Sequence, residues 1–102
     1  MVLYEINLTI DNNSSELFME WLPGHVQRVL KAKGFIDASI FQEEKEGPQI
    51  TVFYKVKSRE DLESYFNGYA KEMRQEGLDK FPNQFKASRK VHVLLKEIAG
   101  EN

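Results

Sequence analysis

The chain has 102 residues, the size of one domain, and carries a formal net charge of −2. That balance has no general attraction for a phosphate backbone, which argues against nucleic-acid binding. There is no cysteine, which excludes disulfides, thiolate metal sites and cysteine nucleophiles, and a cytoplasmic home is the simplest expectation.

The opening MVLYEINL has no basic leader and meets Glu5 early, so it does not read as a signal peptide. A strand is predicted over 3–10, with Tyr4, Ile6, Leu8 and Ile10 on one face and Glu5, Asn7 and Thr9 on the other. Asp11 to Ser15 breaks it, and Ser14 or Ser15 is the expected N-cap of a helix. This first helix is predicted over 16–33 on the stripe Phe18, Leu22, Val26, Val29 and Leu30. Pro23-Gly24 interrupts it, so either a kink or a break into two short helices is expected there. Gly34 is expected to close the element.

Two strand-like runs come next, FIDASIF and QITVFYKV, with Gly47-Pro48 in the turn between them. Their even positions are mostly apolar: Ile36, Ala38 and Ile40, then Ile50, Val52, Tyr54 and Val56. These are expected to face the core, while Phe41 and Phe53 share the opposite, largely polar side and should lie near each other. Ser58-Arg59-Glu60-Asp61 reads as a capping box opening a second helix that carries Leu62, Tyr65, Phe66, Tyr69 and Met73. Gly77 is read as its stop, with Leu78, Phe81 and Phe85 tucking back onto the core. The last strand is predicted over 86–98, with Ala87, Arg89, Val91, Val93 and Leu95 facing the core, and residues 98–102 are expected to fray. No apolar run approaches the ~18 residues needed to span a membrane.

The order β-α-β-β-α-β predicts a single α+β domain over 1–102 of the ferredoxin-like, split βαβ kind. Right-handed crossovers place the first and third strands at the centre of a four-stranded antiparallel sheet. Both helices cover one face, and the other is open to solvent or a partner.

Several segments carry a resemblance: YEINLTID from Tyr4, WL and HVQRVLKAKGF from Trp21, TVFYKV from Thr51, YFNGYAKEMRQEGLDKF from Tyr65 and FKASRKV from Phe85. Through them nearly the whole chain resembles a family of small uncharacterised bacterial proteins, a domain of unknown function in the dimeric α+β barrel superfamily. It departs from that pattern at Gln27, where the family would have proline. The resemblance implies the fold and a homodimer. It carries no activity, no cofactor and no site residue. Cofactor-independent monooxygenases and haem-dependent barrel enzymes share the architecture, and architecture does not determine function.

The residues themselves suggest a site. His25, one turn after Trp21, is either a general base in a pocket or a histidine bonding backbone groups freed near Pro23. Arg89 either clamps a carboxylate ligand or reaches solvent from the end of the sheet. Tyr4, Tyr54, Tyr65 and Tyr69 fall on core faces, and beside Trp21, His25 and Arg89 they describe an apolar pocket with polar points, the usual small-molecule site. Two histidines without HxH or HxxxH spacing give only a weak metal signal, and no metal is expected. The open face is expected to meet that of a second copy through Leu3, Glu5, Asn7, Phe41, Phe53 and Leu94. The leading reading is therefore a homodimer binding a small aromatic or acidic molecule. The rivals are a cofactor-independent monooxygenase-like enzyme acting on an aromatic substrate, with His25 as base, and an interaction module with no ligand.

Overall fold

The computed structural model of the chain describes residues 1–45 and 49–101, so the turn expected at Gly47-Pro48 lies outside the described residues. Four strands, β1 (Val2–Ile10), β2 (Phe35–Gln42), β3 (Gln49–Val56) and β4 (Phe85–Val93), form one sheet in the order β2-β3-β1-β4. Every pairing is antiparallel, and β1 and β3 lie at the centre. Helices α1 (Ser15–Val29), α2 (Arg59–Asn67) and α3 (Tyr69–Lys80) complete the ferredoxin-like α+β fold.

The core is the side of the sheet that carries Val2, Tyr4, Leu8 and Ile10 from β1 and Ile50, Val52, Tyr54 and Val56 from β3, all buried. Tyr4 stands opposite Tyr54 in the ladder, and their rings stack with centroids 5.9 Å apart. Phe18, Leu22, Val26 and Val29 of α1 are buried too. Two of these residues precede Pro23 and two come after it. The helix runs through the proline as one element, so of the two expected outcomes, a kink or a break, the break into two helices does not occur. Proline in a helix interior costs about 3 kcal/mol, and fully burying one large apolar side chain returns ~1.5–3 kcal/mol, so four buried anchors hold the element together. The helix does end sooner than predicted, at Val29, and residues 30–35 descend through tight turns.

Ser14 precedes α1 but makes no capping bond; its hydroxyl donates instead to Gln84 Oε1 in the loop before β4. Ser58 does cap α2, accepting the Asp61 N–H at 3.1 Å. The single second helix expected from the sequence is two helices, divided at Gly68, whose φ of −135° and ψ of −93° are not helical. Gly77 does not stop the chain, since α3 continues to Lys80. A Cβ there would come within 3.3 Å of the Phe85 ring and 3.5 Å of Trp21, so this glycine serves close packing. Leu78 consequently points outward and is exposed, while Phe81 is buried.

Two strand readings also change. The β2–β3 register shifts between Phe35 and Asp37. That irregularity brings Phe35, with Ala38 and Ile40, against the core and leaves Ile36 exposed. On the edge strand β4, Val91, Val93 and, beyond it, Leu95 are exposed rather than buried, because the helices do not cover that end of the sheet.

Gly34 has φ +84°, and a Cβ on it would run into the Asp61 side chain at the start of α2. Gly34→Ala is therefore expected to destabilise the fold by about 1–3 kcal/mol, through backbone strain and displacement of that helix start. Urea unfolding checks this; an unchanged midpoint would contradict the assigned close approach.

Candidate functional site

Between the sheet and the helices lies a cavity of about 60 Å³. Tyr4, Ile6, Leu8, Val52 and Tyr54 line it from the sheet, and Trp21, His25, Tyr65 and Met73 from the helices. Its wall is aromatic by construction. The Tyr65 ring packs 6.3 Å from Tyr4 and 5.0 Å from Phe35, and Phe66 meets Tyr4 edge-on at 5.3 Å.

Burial pushes the phenols of Tyr54 and Tyr65 well above their ordinary pKa, so both remain neutral donors. Neither hydroxyl bonds to any described residue. No side-chain nitrogen or oxygen among the described residues is both sealed from solvent and without a partner. These two hydroxyls therefore border water-sized space, and the cavity is the space they line.

His25 is positioned by three contacts. Its ring stacks on Trp21 with centroids 4.5 Å apart, and its Nδ1 lies 3.0 Å from Glu76 Oε1 on α3. Arg28, one turn further along α1, donates its Nε–H to the same carboxylate at 2.9 and 3.1 Å. The Arg28 guanidinium holds the Glu76 carboxyl below the usual carboxylate range, with His25 adding to the effect against a smaller desolvation. An ionised carboxylate can only accept, so Nδ1 carries the proton that is shared with it. Burial lowers the His25 pKa, opposed by Glu76, and the imidazole is neutral near pH 7. Nε2 is then the unprotonated nitrogen of a ring that lines the cavity. A carboxylate-oriented neutral histidine is the arrangement of a general base.

Trp21, His25, Tyr54, Tyr65 and Arg89 thus share one cavity wall, while Tyr69 does not line it. The Tyr69 hydroxyl donates to the Arg28 carbonyl at 3.1 Å, so this ring braces α1 against α3. Arg89 is opposite Ile6 in the ladder, as its parity requires, but it is exposed rather than buried. The rival expectation for His25, a bond to backbone freed near Pro23, is replaced by the bond to Glu76. Glu76, Arg28 and Arg74 are not singled out by the sequence. The i,i+3 spacing of His25 and Arg28 on one helix is the available signal, but their carboxylate partner lies 51 residues from His25.

The opposite face of the sheet is bare in the single chain. Phe41 and Phe53 meet edge-on there, with centroids 5.6 Å apart. Beside them Thr51 donates to Asn7 at 2.8 Å, Asn7 donates to Glu5 at 2.6 Å, and His92 Nε2 lies 2.9 Å from Glu5. The bond from Asn7, and then that from His92, lowers the Glu5 pKa. Leu3 is partly buried, and Leu94 comes directly after β4 with its N–H bonded to the Met1 carbonyl. Among the described residues, no three or more His, Asp or Glu side chains cluster as a metal site would require, and no helix is long and apolar enough to cross a membrane.

A family profile described as a domain of unknown function (DUF4286) matches residues 1–97. No curated protein matches the chain by sequence. Among solved structures, the haem degrader MhuD of Mycobacterium tuberculosis, with two haems in its active site, is similar with a TM-score of 0.77 at 15% identity, over 97% of this chain and 100% of that one. A mutant of SnoaB, a cofactor-independent oxygenase of Streptomyces nogalater, gives 0.75 at 6% identity, over 97% and 98%. A Nitrosomonas europaea protein assigned to the antibiotic biosynthesis monooxygenases gives 0.72 at 11% identity, over 94% and 100%. At these identities the likeness is one of fold.

The His25–Glu76–Arg28 contact makes a pH prediction. The folded His25 pKa lies below its ordinary 6.5, so the unfolded chain takes up the proton first as pH falls. His25 therefore favours the fold fully above about pH 6.5, and that share of stability declines below it until the folded imidazole also protonates. The Glu76 contribution is lost only further down, below the ordinary 4.5. Urea midpoints from pH 8 to 5 should fall in the wild type and flatten in His25→Gln. Identical slopes for the two proteins would refute a depressed histidine.

Proposed function

The chain belongs to the DUF4286 family, a domain of unknown function, and within it we propose a cytoplasmic homodimer in which each subunit binds a small aromatic or acidic molecule between sheet and helices. The observation that carries the binding reading is the pair of hydroxyls, on Tyr54 and Tyr65, that border an aromatic cavity with no described protein partner. A buried hydroxyl without a bond is costly, and a ligand or water in the cavity removes that cost. Trp21, His25 and Arg89 complete the same wall. For compartment, the support is a chain with no cysteine, which makes no use of an oxidising environment.

The dimer reading rests on the open face. Phe41 is 57% exposed there and pairs with Phe53 beside Leu3, an apolar cluster with a polar network at its side. Bringing two such faces together covers the rings and leaves Glu5 and Asn7 bonded to each other and to neighbours. Leu94 joins the apolar contact, Glu5, Asn7 and Lys55 ring it, and the two sheets close as the walls of a barrel.

A second reading has an observation of its own. The Glu76-oriented imidazole suits an enzyme in which His25 Nε2 takes the proton of a phenol-like substrate and Arg89 faces the negative charge that develops. Cofactor-independent oxygenase chemistry, as in SnoaB, is the fold-level precedent for it.

Light scattering at micromolar concentration should report twice the 11.9 kDa chain mass, and Phe53→Asp should weaken association at least about tenfold by placing a charge in an apolar contact. A wild-type monomer would refute the dimer. In a thermal-shift screen of aromatic acids, binding that survives in His25→Ala together with loss of turnover selects the enzyme. Binding with no turnover selects a carrier or sensor, and no shift with any acid, short aliphatic acids included, selects a ligand-free interaction module.

A further inference from the structure

We propose that the cavity takes a compact monocarboxylate with a short apolar tail, its carboxylate held at the mouth by Arg74 of α3 and Arg89 of β4. The inference rests on the proposed pocket and names the ligand class of that site. Both arginines line the cavity and both are exposed, so they stand at its rim. The other two arginines of the chain are paired, Arg28 with Glu76 and Arg59 with Glu63. Among the described residues, neither Arg74 nor Arg89 has a carboxylate within ion-pair reach. The Arg74 guanidinium lies over the Phe66 ring, 5.8 Å from its centroid, which supports the group from one side while its N–H donors stay free. Both cations line the same cavity as Tyr65, and each draws the Tyr65 pKa down against the upward push of burial.

Two unpaired guanidiniums beside a neutral donor are suited to one carboxylate, which accepts planar, charge-assisted bonds. Behind them the lining turns apolar, with Ile6, Leu8 and Val52. A second charge there would lose its hydration without a partner, which selects one carboxylate and an uncharged tail. Size sets the remaining limit. At roughly 10–15 Å³ for each water-sized occupant, the cavity of about 60 Å³ accommodates about four to six non-hydrogen atoms. A porphyrin or a polycyclic substrate is far larger, so this wall excludes a ligand of the size that the haem-degrading neighbour binds.

The test is an NMR titration of the full chain with isobutyrate and with its neutral isostere isobutyramide, monitored at the Trp21 indole and the Tyr65 ring. Isobutyrate should bind at least about tenfold more tightly than the amide. Arg74→Gln with Arg89→Gln should erase that preference, and Arg74→Lys alone should reduce it in part. Both side chains are exposed, and an unchanged apo spectrum confirms that the variants fold. If the amide matches the acid at these signals, the carboxylate clamp is overturned while the pocket reading stands. If the double variant binds the acid as the wild type does, the two arginines are overturned as its holders. If benzoate binds more tightly than isobutyrate, the size limit is overturned. If no probe shifts these signals at millimolar concentration, the inference and the pocket reading fail together.

Discussion

The pairing of β1 with β3 is the constraint on which the rest of the molecule depends. It sets Tyr4 opposite Tyr54 and, two rungs along in each direction, Val2 opposite Val56 and Ile6 opposite Val52. Side chains alternate strictly along a strand, so a slip of one residue would turn this whole set outward. The same register that buries Tyr4 also delivers Glu5 and Phe53 to the bare face as direct partners. One hydrogen-bond ladder thus builds both surfaces of functional interest, the cavity wall on one side and the proposed dimer contact on the other.

The cavity borders a side of the sheet crowded with large aromatic rings. Tyr4 stacks on Tyr54, and Phe35, Tyr65 and Phe66 meet this pair and one another at tilted and edge-on angles, which is favourable for ring pairs. Two polar ties join α1 to α3 within the helical layer above this cluster. Glu76 of α3 joins His25 and Arg28 of α1, and Tyr69 reaches the carbonyl of Arg28. The tie that orients the histidine is therefore also part of what holds the roof, which links packing to the chemistry available at Nε2.

Most of the architecture was legible because it depends on local patterns. Alternation in YEINLTI and QITVFYKV set two strands and their buried faces, and Ser58 announced the start of α2 through the bond its hydroxyl makes to Asp61. The misreadings have one cause, which is that a residue type was taken at its local meaning. Gly77 looks like a stop and is a gap for the Phe85 ring. The stripe from Leu62 to Met73 looks like one helix and is two, divided at Gly68. Ile36 has the right parity for the core, yet an irregularity in the ladder awards its place to Phe35. Val91 and Val93 have the right chemistry for burial, but no helix reaches over them.

The candidate site divides along the same line. Tyr4, Trp21, Tyr54 and Tyr65 could be named from the sequence because a face of a strand or helix is a periodic property, readable within a dozen residues, but the same periodicity also named Tyr69, which does not line the cavity. The bond from Glu76 to His25, the free state of Arg74 and the exposure of Arg89 could not, because each depends on how far one element stands from another. The amino-acid order by itself determined the fold class, the central strands, the aromatic character of one face and the mixed character of the other. Only the tertiary structure decided which charges are paired, how large the cavity is and which histidine nitrogen holds the proton, because those are set by distances across the helical layer that no local pattern encodes.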